Sequence, residues 1–136
     1  MPTAGYSGTP LAKKLGIKEG FSVVLFHQPG YYFRLFTDFP ANVELVNNDS
    51  KVDLIHYFTT EEEKLLGDIS KLKKRIKLNG MIWISWPKKS SKIVTDINED
   101  VIRKAALKNG LVDVKVCAVD EIWSGLKLVI PLKDRK

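Results

Sequence analysis

Apolar residues along the chain are concentrated in short runs that are separated by more polar stretches. Three of these runs have the length of a strand and cover residues 21–26, 52–58 and 81–86. A shorter run, Val43–Val46, lies between the first two and precedes a turn-rich stretch. Short apolar runs bounded by turn residues are typical of buried strands. The pattern therefore predicts a largely buried sheet.

Helix signals stand on both sides of the first run. Thr9 is predicted to cap a short helix that has Pro10 at its first position and ends at Gly16. Proline commonly opens a helix and glycine commonly closes one. Residues 31–36 are also predicted to be helical. Two short helices therefore flank the first strand.

The two longer helices have clearer signals. Thr60 and Glu63 match a capping box, in which each side chain satisfies a free backbone N–H, and Asn79–Gly80 is predicted to end that helix. Its apolar residues recur at helical spacing and form one face. Asn98 is predicted to cap the other helix, which Gly110 ends.

Two further strands, 111–119 and 126–130, end the chain with a short connection between them. A connection of that length cannot hold a crossover helix, so the pair is predicted to be an antiparallel hairpin. The preceding alternation of strands and helices predicts parallel strands covered on both faces. The chain is therefore predicted to be a single α/β domain over residues 1–136, with a mostly parallel sheet of about six strands.

Composition and charge narrow the class of protein. Of the 136 residues, 44% are hydrophobic and 28% are charged, which suffices for a core and argues against disorder. The net charge of +6 favours anionic partners such as phosphates, nucleic acid, acidic proteins or membrane surfaces. The alternative is a basic domain that binds no anion.

The cysteine content and the start of the chain indicate in which cellular compartment the protein is expected. Cys117 is the only cysteine, so no internal disulfide forms, and its alternating surroundings predict a small buried hydrophobe. The chain starts without a basic segment followed by an apolar stretch, and no apolar run approaches the ~20 residues of a membrane span. We therefore expect a cytoplasmic protein that does not enter a membrane.

A candidate binding site begins at the end of the third run. Ser85, Trp86, Lys88 and Lys89 stand there, interrupted by Pro87. In an open α/β sheet, ligands bind outside the carboxyl ends of the strands. Trp86 could stack on a planar ligand while Lys88 or Lys89 contacts an anion. Alternatively, the indole closes the sheet edge and the lysines are solvated.

A second polar segment connects the last two strands and contains Asp120, Glu121, Trp123 and Ser124. If the strand before it runs parallel to the strand that ends at Trp86, the segment emerges at the same edge. The two indoles could then face one pocket, with a carboxylate acting as a base or pairing with Lys88. Alternatively, the carboxylates accept backbone hydrogen bonds and Trp123 packs on a neighbour.

The histidines give weaker signals. His27 follows the first strand at the same predicted edge, where it could shuttle a proton or serve as a hydrogen-bonded loop residue. His56 lies within a strand and is predicted to be structural. Two histidines and one cysteine at these positions form no metal-ligand spacing. Residues 5–9 precede a helix, and they could bind an anion at its N-terminus or only cap it.

The longest predicted helix carries acidic residues first and cations last. The cations are Lys71, Lys73, Lys74, Arg75 and Lys77. This order complements the helix dipole. A single-stranded nucleic-acid site would interleave aromatic residues with the cations. The helix has none, so nucleic acid is not the expected partner.

Two segments and the terminal hairpin are similar to a known family. Val52–His56 resembles the fourth strand of class I methyltransferases, and Leu78–Ile84 resembles the loop and strand that follow it. The hairpin resembles their reversed last strand. The resemblance implies a shortened, Rossmann-like methyltransferase fold with S-adenosylmethionine as a candidate cofactor. The turn 26–30 departs from the family's glycine-rich pattern, because it has one glycine and contains Pro29, and no acidic residue ends the strand at 43–46. The cofactor therefore stays open.

The chain is also similar to a small family of bacterial proteins of unknown function. The resemblance is carried by Gly5–Leu11, Ser85–Lys89, Thr95–Asp96, Val114–Glu121 and Trp123–Lys127. It spans nearly the whole chain and implies no activity.

These observations lead to one hypothesis and three alternatives. The hypothesis is a non-catalytic relative of methyltransferases that binds a small anionic or nucleotide-like ligand at the carboxyl edge of the sheet. The first alternative is a protein–protein adaptor with exposed tryptophans as anchors. The others are an active S-adenosylmethionine-dependent methyltransferase and an RNA-binding protein that relies on positive charge.

Overall fold

The structure is a computed structural model that describes residues 8–135. Within that part of the chain, six strands alternate with three α-helices. The strands are β1 (Ser22–Phe26), β2 (Glu44–Leu45), β3 (Val52–Phe58), β4 (Ile76–Pro87), β5 (Val112–Ala118) and β6 (Trp123–Val129). The helices are α1 (Leu11–Leu15), α2 (Glu62–Arg75) and α3 (Glu99–Lys108). Short 3-10 helices cover Tyr32–Leu35, Lys89–Ser91 and Leu132–Asp134.

All six strands form one sheet in the order β2-β1-β3-β4-β6-β5. β1 is parallel to β2 and to β3, and β3 is parallel to β4. β6 lies between β4 and β5 and is antiparallel to both. The predicted single α/β domain with a Rossmann-like, mostly parallel sheet and an antiparallel C-terminal hairpin is confirmed.

The sheet divides the core into two clusters because side chains alternate between its faces. On one face, α2 and α3 cover residues that include Ile55, Ile84 and Leu126. On the other face, α1 covers Leu54 and Trp83. We call these the α2/α3 face and the α1 face. No helix within residues 8–135 is long and apolar enough to cross a membrane.

The buried indole of Trp83 fixes α1 to the sheet. Its Nε1–H donates to the carbonyl of Leu15 at 2.8 Å. α1 ends at Gly16, as predicted, with a φ of 84° that glycine adopts without strain. Its N-cap is Pro10 instead of the predicted Thr9. A polar bond and an apolar surface therefore hold this five-residue helix.

The predicted capping box of α2 is wrong. The helix begins at Glu62, and neither Thr60 nor its N-cap, Glu61, makes the expected side-chain bond. The backbone N–H of Glu62 instead donates to Oδ1 of Asp96 at 2.7 Å. Thr95 Oγ1–H donates to the Thr60 carbonyl at 2.7 Å and keeps that carboxylate in place. The cap of α2 thus comes from a distant loop.

The predicted end of α2 at Asn79–Gly80 is also wrong. The helix ends at Arg75, and Ile76 already pairs with Val52 of β3. The register shifts before the regular pairing begins at Met81. A Cβ on Gly80 would lie 3.0 Å from the Ile76 Cβ, so the irregular start of β4 needs glycine there. Pairing with β3 overrides the helical pattern of residues 76–78.

α3 follows its sequence signals. Asn98 Oδ1 accepts the backbone N–H of Val101 at 2.9 Å, which confirms the predicted cap. Gly110 follows the helix with a φ of 74°. Arg103 pairs with Asp113 of β5 and with Glu99 and Asp100 of its own helix. The bond to Asp113 connects α3 with the edge strand.

Candidate functional site

The carboxyl edge of the parallel strands brings together the segments that follow β1, β3 and β4. Phe58 of β3 pairs with Ser85, and Pro87 of β4 pairs with Trp123. The backbone N–H of Lys88 donates to the Ile122 carbonyl at 2.7 Å. β5 runs in the same direction as β4, since both are antiparallel to β6. The expectation that the turn before β6 emerges beside the end of β4 is therefore confirmed.

The two indoles at this edge do not face one pocket, contrary to expectation. Trp86 packs in the cluster on the α2/α3 face and is only 8% exposed. Trp123 packs against the cluster on the α1 face, with its ring edge-on to Phe58 at 5.1 Å. They diverge because Trp123 pairs with Pro87, one position beyond Trp86, and neighbouring positions point to opposite faces. Trp86 also cannot act as an exposed protein anchor.

Ser85 lies in the interior and belongs to a buried polar chain. Its Oγ is 2.7 Å from Nε2 of His56, whose Nδ1 is 2.9 Å from the hydroxyl of Tyr32. Burial lowers the pKa of His56 to about 3, so the ring is neutral. Burial also raises the pKa of the Tyr32 hydroxyl. All three side chains are therefore hydrogen-bonded and none faces the solvent. This agrees with the prediction that His56 is structural.

The close approach of β6 to this polar chain depends on Gly125. A Cβ there would lie 3.1 Å from Cε3 of Trp83 and 3.3 Å from Oγ of Ser85. The sequence pattern predicts no role for this glycine. A glycine beside a tryptophan in a strand pattern is the signal that could have indicated close packing.

Asp120 organises the turn before β6. The residue is 5% exposed, and its Oδ1 accepts the backbone N–H groups of Ile122 at 2.8 Å and Trp123 at 2.7 Å. Burial and the Asp120 carboxylate raise the pKa of the Tyr31 hydroxyl. This geometry matches the turn-forming alternative for Asp120. A cavity of about 230 Å³ beside the turn is lined by Tyr31, Leu35, Asp120, Glu121 and Ile122.

The other predicted site residues lie at the rim of this edge. Lys88 is half-buried, and Lys89 is exposed at the start of a 3-10 helix. Glu121 is exposed and Ser124 is half-buried. Their part in ligand binding stays a prediction. Residues 5–7 of the predicted anion-binding segment lie outside the described residues.

His27 lies at the carboxyl end of β1, beside the end of β3. Its φ of 58° is the left-handed conformation that glycine usually supplies. Its Nδ1 lies 3.3 Å from the Phe58 carbonyl oxygen. A carbonyl can only accept, so this bond places a proton on Nδ1. His27 is therefore an oriented histidine on an exposed turn.

Two cavities share His27 as a lining residue. The first, which we call the edge cavity, has a volume of about 210 Å³ and is lined by His27, Phe58, Thr59, Thr60, Glu61, Lys64 and Trp123. The second, which we call the α2 cavity, has a volume of about 500 Å³ and is lined by Phe26, His27, Asp49, Tyr57, Asp68, Lys71, Leu72, Lys74 and Arg75. Both combine aromatic rings with cations.

The α2 cavity was missed because its residues come from distant parts of the sequence. Lys71, Lys74 and Arg75 were interpreted only as complements of the helix dipole. The Tyr57 hydroxyl donates to Oδ2 of Asp68 at 2.6 Å, and burial together with this carboxylate raises the pKa of Tyr57. No cluster of three or more potential metal ligands occurs within residues 8–135.

Solved structures with a similar fold include several methyltransferases. An S-adenosylmethionine-dependent methyltransferase from Aquifex aeolicus has a TM-score of 0.59 and 18% identity, over 88% of this chain and 87% of that one. The ribosomal protein L11 methylase of Lactobacillus delbrueckii has a TM-score of 0.56 and 14% identity, over 87% and 73%. Magnesium protoporphyrin IX methyltransferase from Synechocystis has a TM-score of 0.55 and 11% identity, over 89% and 78%. At these identities the likeness shows a methyltransferase-like fold.

Sequence comparison identifies the family. No curated protein matches the chain by sequence. The model of a family described as "Protein of unknown function (DUF3052)" matches residues 39–132. That match includes the motifs at the end of β4 and before β6. Because it spans more than half of the sequence, the chain belongs to the DUF3052 family.

Proposed function

We propose that this protein binds a small anionic or nucleotide-like ligand at the carboxyl edge of its sheet and does not catalyse methyl transfer. The observation that carries the proposal is the position of His27, which lines both cavities with its Nδ1 held by the Phe58 carbonyl. A single ligand in contact with this ring can extend into both. Ligand sites of open α/β sheets occur at this edge.

The edge cavity has the chemistry for a planar, negatively charged molecule. Phe58 and Trp123 supply aromatic surface, and Lys64 supplies an ammonium group. The Glu61 carboxylate directs an anionic part of the ligand towards Lys64. A planar ligand can stack on such rings while the ammonium group contacts its charge. The cavity lies beside the N-terminus of α2, whose positive dipole end already faces the Asp96 carboxylate.

The turn after β1 supports a binding function over methyl transfer. Methyltransferases use a glycine-rich turn at this position so that the backbone approaches the cofactor closely. Here His27 takes the left-handed conformation with a side chain in place, and Pro29 offers no N–H donor. The strand β2 is followed by Val46 and Asn47, so the acidic residue that would hold a ribose is missing at the strand end, and the first carboxylate, Asp49, comes later.

Calorimetric titration of wild type and variants tests the proposal. The ligands are nucleosides, nucleoside phosphates, sugar phosphates and S-adenosylmethionine. His27→Gly removes the imidazole and keeps the left-handed backbone without strain. We expect it to weaken binding about tenfold, as for the loss of one or two polar contacts. Asn42→Gly is the matched control, since Asn42 is exposed and has a φ of 59°.

Two results would contradict the proposal. No binding of any of these ligands at millimolar concentration would remove its basis. Equal affinities of wild type and His27→Gly would show that the site lies elsewhere. The fold likeness to methyltransferases favours an active enzyme as the second candidate, and a preference for S-adenosylmethionine over every phosphate ligand would support it.

A further inference from the structure

The residues that line the α2 cavity indicate which class of ligand it binds. We infer that it receives the phosphate groups of a phosphorylated compound, such as a nucleoside phosphate, whose planar part occupies the edge cavity. This inference rests on the proposed function, because His27 is the wall that the two cavities share. S-adenosylmethionine carries no phosphate, so the inference separates this ligand from the cofactor that the fold suggests.

The strongest observation is an unsatisfied guanidinium nitrogen. Arg75 is half-buried at the wall of the α2 cavity, and its Nε–H donates to the Ser50 carbonyl at 3.2 Å. Its Nη2 is buried and has no hydrogen-bond partner within residues 8–135. A buried charged donor without a partner is costly, and a phosphate oxygen is a good acceptor for it. Because this nitrogen is enclosed, an anion in the cavity reaches it only after the Arg75 side chain rotates, and the positive charge of the guanidinium group is what favours an anionic occupant.

Further cations surround the same position. Lys71 and Lys74 line the cavity with Arg75 on the last turns of α2. Lys51 reaches the end of this helix, where its Nζ donates to the Lys74 carbonyl at 3.0 Å. The negative end of the helix dipole amounts to about half a charge. The summed positive charge of the three lysines and the arginine is several times larger than this negative charge.

Two carboxylates also line the cavity and reduce its net positive charge. Asp68 is engaged, since its Oδ2 accepts the Tyr57 hydroxyl. Asp49 lies in the turn that precedes β3. Against these two carboxylates stand the three cations that line the cavity, with Lys51 beside them. The net charge of the cavity is therefore positive, which favours an anion beside Lys71, Lys74 and Arg75.

The distance between the two cavities along α2 favours an elongated ligand over a single ion. Lys64 lines the edge cavity, and Arg75 lines the α2 cavity eleven residues further along α2. At 1.5 Å per residue these positions are about 16 Å apart along the helix axis. Inorganic phosphate can satisfy Arg75 but cannot also reach the aromatic rings of the edge cavity. A planar group joined to phosphates can occupy both.

The experiment compares nucleosides with their phosphates. The probes are adenosine, guanosine, cytidine and uridine, their 5′-mono- and 5′-diphosphates, inorganic pyrophosphate and S-adenosylmethionine, titrated at constant ionic strength. We expect at least one nucleoside diphosphate to bind about tenfold more tightly than its nucleoside and more tightly than S-adenosylmethionine. Inorganic pyrophosphate should bind more weakly than that diphosphate.

Variants locate the phosphate contact. Lys71→Met and Arg75→Met should each reduce the affinity for the diphosphate about tenfold and leave the affinity for the nucleoside unchanged. Lys104→Met is the matched control, because Lys104 is an exposed lysine of α3. Melting temperatures show that each variant is folded, and Lys71, which is exposed, can be replaced without disturbing the core.

The outcomes separate this inference from the proposed function. Equal affinities for nucleoside and diphosphate, both reduced by His27→Gly, would overturn the inference and leave the edge site standing. Diphosphate binding that Lys71→Met and Arg75→Met do not reduce would also overturn it. No binding of any probe would overturn both proposals.

Discussion

At the residue scale, the interior of the α1 face depends on a glycine. Trp83 is fixed by its bond to Leu15, so its ring cannot easily move away from a new methyl group on β6. We expect Gly125→Ala to reduce the free energy of unfolding by about 1–3 kcal/mol, because the added Cβ would lie 3.1 Å from that ring. Urea unfolding measures the difference.

An exposed glycine provides the control for this substitution. Gly67 lies inside α2 with no atom within 4 Å of a Cβ built on it. Gly67→Ala should therefore raise the free energy of unfolding by about 0.5–1 kcal/mol. If Gly125→Ala were as stable as wild type, the close approach of β6 to Trp83 would be contradicted.

At the element scale, the cap of α2 comes from a residue 34 positions away. Asp96 accepts the N–H of Glu62, and its charge lies at the positive end of the helix dipole. We expect Asp96→Ala to reduce the free energy of unfolding by about 0.5–2 kcal/mol, the usual effect of losing a cap. Chemical denaturation of the variant measures this change.

Thr60→Ala discriminates between the capping box and the observed cap. The capping box predicts that the threonine side chain supports α2, whereas in the structure the backbone carbonyl of Thr60 makes the bonds that matter. We expect this variant to remain within about 0.5 kcal/mol of wild type. A larger loss for Thr60→Ala than for Asp96→Ala would favour the capping box.

The elements that the sequence predicts correctly are those set by local signals. The strand at 52–58 has the predicted bounds, and Asn98 caps α3 as its type and position indicate. The end of α2 was not predictable in this way, because residues 76–80 leave the helix to pair with β3. Long-range pairing overrides helical periodicity there.

In the candidate site, too, the sequence predicts what depends on local signals and does not predict what depends on long-range pairing. The sequence places His27 and Trp123 at the carboxyl edge, since both follow from strand order. It cannot place Trp86 and Trp123 on opposite faces, because that depends on the register of β4 against β6. The α2 cavity combines residues of β1, β3 and α2, so three-dimensional packing alone reveals it.

At the scale of the whole molecule, the two faces of the sheet have different roles. The α1 face holds Trp83 and the buried chain of Tyr32, His56 and Ser85. The α2/α3 face carries the largest apolar cluster and, beside α2, the α2 cavity. His27 lies where β1 ends. The polar chain therefore contributes to folding, and the proposed ligand site lies outside it.

The buried His56 makes the stability of the whole molecule depend on pH. Its pKa falls from 6.5 to about 3 on folding because burial disfavours the charged ring. Below pH 6.5 the unfolded chain takes up a proton that the folded chain does not bind, so stability falls as the pH falls towards 3. Well below pH 6.5, the free energy of unfolding should fall by about 1 kcal/mol per pH unit. We measure this by urea unfolding between about pH 5 and pH 7.5, above the range where carboxylates titrate.

Two further measurements assign that slope to His56. His56→Gln keeps a neutral hydrogen-bonding side chain, and the slope should disappear, whereas His27→Gly should retain it. Nuclear magnetic resonance of the folded wild type should show no titration of the His56 ring in the same range, because its pKa is about 3. A ring that titrates near pH 6.5 in the folded protein would mean that water reaches His56. In that case the carboxyl edge would open into the polar chain, and Ser85 would be accessible to a ligand after all.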